Sequence, residues 1–361
     1  MKKILALALA TLLSLSCLTA CGGSKESSAP SGGSSSELPE ITWRLQSVEN
    51  AGTPREEAVY HYAELVKEKT GGKFTIEVYD AGVLYAQDAL IEAVKNRVTE
   101  CAVTSNDYQS GIEPMLKLAA FRCSDPWNDE ATDDEFLAYY EPLVREAYEK
   151  MGLVYVGNCE HLPAECFMSN KKIETLADFE GMLIRSAGLG QELYQAMGAS
   201  VVNMPMGDVY SAAKLGTIDA FEVSTYADNY GNALHEVCKY VVEPSPHNTA
   251  GTQVGNIVVN PKAWEELPQE YKDAMMEACA ESRAYCWKSL VDATAIAREK
   301  ILETVELCEL SQADQDTYHQ LAAETMVGYW GKSEACDKFL TAYCEFLESK
   351  GYGDVAAVIK K

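Results

Sequence analysis

The chain has 361 residues, 47% hydrophobic, 9% aromatic and 24% charged, which fits a globular protein with a large core and excludes a disordered, collagenous or multi-span membrane chain. Asp and Glu number 55 against 30 Lys and Arg, a formal charge of −25. That excess argues against nucleic acid or an anionic membrane surface as partner, because both are held by clustered cations, yet it leaves open a small anion whose pocket opposes the net charge.

Met1-Lys2-Lys3 is a basic head, Ile4 to Leu18 an apolar run, and Leu18-Thr19-Ala20-Cys21 closes it. The run is too short for a permanent membrane span and reads as a secretory signal over residues 1–20. Its last four residues resemble a bacterial lipobox, which implies that Cys21 is diacylated and becomes the first mature residue; an ordinary signal cut nearby is the alternative. The stretch 21–40, rich in Gly and Ser, has no apolar periodicity and reads as a flexible tether. The body is then extracytoplasmic, anchored to the membrane through lipid on Cys21. Of the twelve cysteines, ten remain after Cys17 and Cys21. Export and an even count allow disulfides, but a body this large needs no staples, no Cys-x-x-Cys occurs, and free thiols are the preferred reading. Cys279 and Cys286, seven apart on a predicted helix, suit burial as small apolar residues.

Thr53-Pro54-Arg55-Glu56 forms a capping box with proline at the first helical position, and Ala58, Val59, Tyr62, Leu65 and Val66 recur at helical spacing up to Thr70-Gly71-Gly72. Phe74, Ile76 and Val78 alternate as a strand; Leu90, Ile91 and Val94 mark a second helix, and Cys101-Ala102-Val103-Thr104 a further strand. Strand, helix, strand at this spacing predicts βαβ units and a largely parallel sheet, hence an α/β fold. The alternation resumes with strands at 153–156, 182–185, 201–202 and 220–223. Between them fall a short Thr175-capped helix ended by Gly181, a helix from Leu189 to Met197 and another around 208–215. The stretches 41–160 and 161–250 read as two lobes. From Pro261 the chain reads as nearly all helical, with long amphipathic runs at 268–309 and 311–349.

Catalytic and cofactor motifs are missing. The five histidines, His61, His161, His235, His247 and His319, are scattered, so no zinc is expected; His161 and Glu165 are four apart, but Pro163 between them argues for a loop. Gly188-Leu189-Gly190 lacks the third glycine of a dinucleotide fingerprint, and neither a phosphate-binding loop nor Gly-x-Ser-x-Gly occurs. No cofactor, no metal and no enzymatic activity are expected. One placement carries chemistry: Arg185 ends a strand and precedes the Gly188 turn into a helix, at the carboxyl edge of a parallel lobe where ligands bind. A guanidinium beside a helix start suits a carboxylate. An ion pair with one of the many acids is the equally weighted alternative.

The segment Thr175-Leu176-Ala177-Asp178-Phe179-Glu180-Gly181-Met182-Leu183-Ile184-Arg185 resembles the corresponding block of DctP-type solute-binding proteins of TRAP (tripartite ATP-independent periplasmic) transporters. Met197-Gly198-Ala199 followed by 208–222 looks like the family's next block, and 70–74, 81–84 and 260–268 match further blocks in order. The resemblance covers about residues 41–320. It implies two α/β lobes joined by hinge segments and a long helix, closing over a small organic acid that passes to small and large membrane subunits driven by an ion gradient. The implied division is 41–161 with about 249–289 for lobe 1, 162–248 with about 290–325 for lobe 2, and C-terminal helices over 326–361. Arg185 matches the family's carboxylate-binding arginine. Met206 falls where a residue packs on the ligand, and Val223 where a polar residue, often Asn, hydrogen-bonds it; Glu222 beside it is counted among the ligand-binding candidates. Glu165 stands where many relatives have a second arginine, which implies an amine-bearing or partly neutral acid rather than a plain dianion. Glu49, Asn106 and Trp127 lie in stretches that resemble cleft-lining segments, with an ordinary surface or core role as the alternative for each. Competing readings are a binding protein for an ABC importer or a sensor kinase, and, further off, an extracytoplasmic hydrolase or lyase.

Overall fold

The computed structural model describes residues 38–361 apart from 121, 124, 128 and 247–251; the leader, Cys21 and the Gly/Ser-rich stretch to residue 37 lie outside the described residues. Strand β1 (Ile41–Gln46) is followed by helix α1 (Pro54–Lys69), whose start is fixed by Thr53: its hydroxyl accepts the Glu56 N–H at 3.3 Å. Then come β2 (Phe74–Tyr79), α2 (Gln87–Lys95), the wholly buried β3 (Cys101–Thr104), α3 (Met115–Ala120), α4 (Glu130–Lys150) and β4 (Val154–Leu162). The second half runs β5 (Phe167–Ser169), β6 (Leu183–Arg185), α5 (Gly190–Ala196), β7 (Ser200–Val202), α6 (Met206–Lys214), β8 (Ala220–Glu222), α7 (Tyr226–Gly231) and β9 (Tyr240–Glu243). It closes with β10 (Thr252–Val259), α8 (Pro261–Glu266), α9 (Gln269–Leu302), β11 (Glu306–Glu309), α10 (Gln312–Val327), α11 (Glu334–Ser349) and α12 (Gly353–Ile359).

The strands form two sheets, ordered β2-β1-β3-β10-β4 and β11-β9-β5-β8-β6-β7, and each with its helices makes one lobe. Both sheets are largely parallel, as expected, each with one strand reversed. β10 runs antiparallel to β3 and β4, and β5 antiparallel to β8 and β9. The parallel rule holds for consecutive strands joined by a helix within one sheet. β5 and β10 each follow a direct strand-to-strand link from one sheet to the other, with no helix between, and each runs against its neighbours.

The helical reading beyond Pro261 is corrected. α9 stops at Leu302, and Glu306–Glu309 is an edge strand parallel to β9, with Cys308 opposite Val242. Four residues are too short a stretch for alternation to stand out from the helical pattern around it. The 311–349 run is likewise two helices, α10 and α11, separated by a turn in which Gly331 takes φ +75°. The Thr175 segment closes its capping box with Asp178, but around a 3₁₀ turn over Leu176–Phe179.

Helix α9 ties the lobes. Its first half packs Tyr271, Met275 and Cys279 into the core of Trp43, Tyr62 and Phe74 under the first sheet; its second half packs Cys286, Leu290 and Ile301 against Phe221 and Val241 of the second. The helix lies so close to β4 that a Cβ on Gly157 would stand 3.1 Å from Cys279 Sγ. The cysteines from Cys101 to Cys344 form no disulfide among the described residues, and all but Cys238 are buried. α10, α11 and α12 cover α3 and α4 with a cluster that includes Phe136, Tyr140, Phe339, Tyr343 and Phe346. No described helix is long and apolar enough to cross a membrane.

Glu56 shows what burial does to a charge in this fold. Its N–H is capped, but its two carboxyl oxygens are buried without a hydrogen-bond partner, so the reciprocal half of the capping box is open. Burial above all, with the Asp80 carboxylate beside it, pushes the Glu56 carboxyl from its ordinary 4.5 up to about 9, against the pull of the Ser47 hydroxyl. The folded state therefore holds a proton that the unfolded chain has lost. The stabilisation from that proton is complete below about 4.5 and is lost as pH rises through about 9. The loss runs at about 1.4 kcal/mol per pH unit for one proton. Glu56→Gln, neutral at every pH, is expected to flatten the pH dependence of urea unfolding by about that slope between pH 5 and 8. An unchanged slope would show that Glu56 is ionised in the folded protein.

Candidate ligand-binding site

β6 lies between β7 and β8, parallel to both, so the carboxyl ends of three strands open on one edge. Arg185 closes β6 there and is 3% exposed. Its Nη1 donates to the Glu222 carbonyl at 2.8 Å, while Nε and Nη2 donate to the Met204 carbonyl at 3.2 and 3.0 Å. The Glu222 carbonyl ends β8, and the Met204 carbonyl lies in the loop between β7 and α6. Of the five guanidinium N–H groups, these bonds take three and leave one on each terminal nitrogen, the pair that grips a carboxylate side by side. Arg185 forms no ion pair among the described residues. The Glu222 side chain turns instead to Ser186, whose hydroxyl donates to Oε2 at 2.9 Å.

The first lobe presents the ends of β1 and β3. Ser105-Asn106-Asp107 follows the buried β3; the Asn106 Oδ1 accepts from Asn256 Nδ2 of β10 at 2.8 Å. Asp107 is 7% exposed, and neither carboxylate oxygen has a hydrogen-bond partner. Burial pushes the Asp107 carboxyl up, against the Ser105 hydroxyl, the positive charge of Arg185 and its own backbone N–H. Glu49, after β1, meets Arg55 of α1 at 2.6 Å, and the same guanidinium reaches Glu160 of β4 at 2.7 Å. Asp228 of α7, in the second lobe, accepts from the Ser224 and Thr225 hydroxyls at 2.7 and 2.9 Å and adds its charge to the group. Burial raises the Glu49 carboxyl well above its usual range; Arg55 opposes this, and Glu160, Asp228 and Asp107 reinforce it. Gly255 makes the arrangement possible: with φ +70°, a Cβ there would stand 2.6 Å from the Glu160 side chain.

A hollow of about 630 Å³ opens between the lobes, lined by Gln87, Asp107 and Tyr108 on one side and by Met204 and Pro205 on the other. Contacts bridge it at the rims: Asn50 donates to Asn232 at 2.9 Å, and Lys117 meets Glu192 at 2.8 Å. Met206 begins α6 and Val223 follows β8; both are buried in the apolar cluster of the second lobe with Ala187, Val209 and Phe221.

Two sequence candidates lie outside this hollow. Trp127 is a core residue: its indole packs edge-on against Phe136 and Phe346 in the aromatic cluster, where a large flat ring buries most area. Glu165, in the link from β4 to β5, lines a separate hollow of about 570 Å³ with Pro163, Ser245 and Arg298, where the two inter-sheet crossovers pass α9. Sequence reasoning missed Asp107 next to Asn106, Arg55 and Glu160. The available signal was the polar trio Ser105-Asn106-Asp107 following a short, largely apolar strand; Arg55 was masked by its place inside a capping motif.

Residues 45–329 match the profile of DctP, described as bacterial extracellular solute-binding protein, family 7. The chain is 28% identical over 276 residues to the monocarboxylate 2-oxoacid-binding periplasmic protein of Nostoc sp., spanning 73% of this chain and 71% of that one. It is 24% identical over 322 residues to the C4-dicarboxylate-binding periplasmic protein DctP of Rhodobacter capsulatus, spanning 85% and 86%. The fold matches a TRAP transporter solute-binding protein of Bordetella bronchiseptica with calcium and picolinate in its site, at a TM-score of 0.79 and 22% identity over 87% of this chain and 93% of that one. It also matches one of Pseudoalteromonas atlantica with bound sodium and pyruvate, at a TM-score of 0.76 and 20% identity over 86% and 95%. The chain belongs to the DctP family of bacterial extracellular solute-binding proteins, and its two-lobed α/β fold is that of TRAP transporter solute-binding proteins.

Proposed function

We propose that the protein is an extracytoplasmic receptor that holds a small organic acid by its carboxylate on Arg185 and delivers it to the small and large membrane subunits of a TRAP transporter for ion-gradient-driven uptake. The observation that carries this reading is a buried guanidinium held only by two backbone carbonyls, with one N–H left on each terminal nitrogen and no ion pair among the described residues. Carbonyl dipoles orient the group without neutralising it, so an incoming carboxylate meets a full positive charge in a site from which water is largely excluded. The picolinate, pyruvate and 2-oxoacids named for relatives all offer that group. Met206 and Val223 supply the apolar flank in the same lobe, and Glu222 and Ser186 form a polar pair beside it. Asn106, Asp107 and Glu49 meet the ligand from the other lobe when the cleft closes. Lipid on Cys21 would hold the receptor at the membrane by the Gly/Ser-rich tether.

Arg185→Ala is expected to weaken binding of the cognate acid by roughly 30-fold to several thousand-fold, the cost of removing one partner of a buried charge pair. Arg185→Lys is expected to recover little, because an ammonium keeps the charge but cannot span both carbonyls and the ligand at once. Titration calorimetry on variants with unchanged circular dichroism, using the tightest acid from a thermal-shift screen, decides it; near-wild-type affinity in Arg185→Ala would overturn the assignment. Cys21→Ala is expected to move the protein from the membrane fraction to the soluble one and to abolish lipid labelling. Unchanged fractionation and labelling would remove Cys21 as the anchor.

A further inference from the structure

We infer that the acid captured here is a zwitterion, and that Asp107 receives its ammonium group while Arg185 receives its carboxylate. The inference rests on the carboxylate reading of Arg185 and adds what stands opposite it. Around the cleft lie five buried carboxyls, Glu49, Glu160, Asp228 and Asp107 with Glu222 beside Arg185, and two guanidiniums, Arg55 and Arg185. Arg55 is shared between Glu49 and Glu160 and lies beside Asp228, so none of its charge is left for the ligand. A ligand with a carboxylate alone would add a further acidic group to this cluster. Burying unpaired charges of one sign is costly, and a cation brought in by the ligand removes the cost.

Asp107 is the group placed to meet that cation. It lines the hollow between the lobes, is more than nine-tenths buried, and neither of its oxygens has a hydrogen-bond partner. Arg185 is close enough to act on its carboxyl yet forms no ion pair with it among the described residues. A guanidinium with one N–H left on each terminal nitrogen in one lobe, and a buried carboxyl without a hydrogen-bond partner in the other, reproduce in reverse the charge pattern of an amino acid. The Asn256 Oδ1, also buried without a partner, is a further acceptor next to Asn106 on the same lobe. The counter-charge that the sequence resemblance placed at Glu165 is thus supplied by a residue of the first lobe, so that ligand charge on both ends favours closure.

The test compares acids matched except for replacement of the 2-amino group by hydroxyl: alanine with lactate, leucine with 2-hydroxyisocaproate, glutamate with 2-hydroxyglutarate. Calorimetry is done on the full chain and on its Asp107→Asn and Arg185→Lys variants. The expected result is that at least one amino acid binds more than about tenfold tighter than its hydroxy partner, and that Asp107→Asn weakens it about 30-fold or more while leaving the hydroxy acid within about threefold. If Asp107 were only a resting counter-ion of Arg185, Asp107→Asn would tighten both members alike, and the inference would fall. Tighter binding of the hydroxy members, with or without added calcium, dependent on Arg185, would also overturn it while leaving the receptor reading in place. Binding by no member of any pair counts against both.

Discussion

A guanidinium taken out of water has to be met by opposite charge or by oriented dipoles, and this protein uses both solutions at one cleft. Arg55 is met by charge. Glu49 at 2.6 Å and Glu160 at 2.7 Å flank it, and Asp228 adds a contribution from the second lobe. Removing either side would strand buried charge, so the group behaves as one unit and fixes the ends of β1 and β4 against the first turn of α1. Arg185 is met by dipoles, the carbonyls of Met204 and Glu222. The first arrangement is closed and structural; the second keeps its charge for use. The two arginines are alike in burial and opposite in consequence.

Three links join the sheets: β4 to β5, β9 to β10, and α9, which is anchored in both cores. α9, packed along β4, α1 and α7, holds the two lobes together. The polar contacts that bridge the rims, Asn50 with Asn232 and Lys117 with Glu192, are few and partly wet, so they close the cleft without locking it. A ligand that touches Arg185 from one lobe and Asp107 from the other supplies the missing attraction, and its binding energy shifts the population toward the closed form.

Much of this was legible in the amino-acid sequence wherever the determinant is local. The α1 start follows from Thr53 and Pro54, β3 from four consecutive buried residues, and Arg185 from a strand end followed by a glycine turn. What was not legible depends on partners distant in the chain. The reversal of β5 and β10 accompanies crossovers between lobes, which leave no periodic signal. β11 exists because β9 offers a free edge, not because Glu306–Glu309 is a strong strand former. Trp127 and Glu165 were read by alignment distance, which does not show that the first packs into an aromatic cluster completed by α11 or that the second lines the hollow at the crossovers. Arg55, Glu49 and Glu160 are separated by up to 111 positions in the chain, and only the fold shows that they form one charge group.

The central claim is that the ligand carboxylate sits on the free edge of Arg185. A crystal structure of the protein with the small molecule it retains through purification, identified beforehand by native mass spectrometry, tests this most directly. The account predicts a carboxylate bridging the two terminal nitrogens of Arg185, with the Met204 and Glu222 carbonyl bonds intact. A ligand seated in the hollow beside Glu165 and Arg298, with Arg185 untouched, would contradict it.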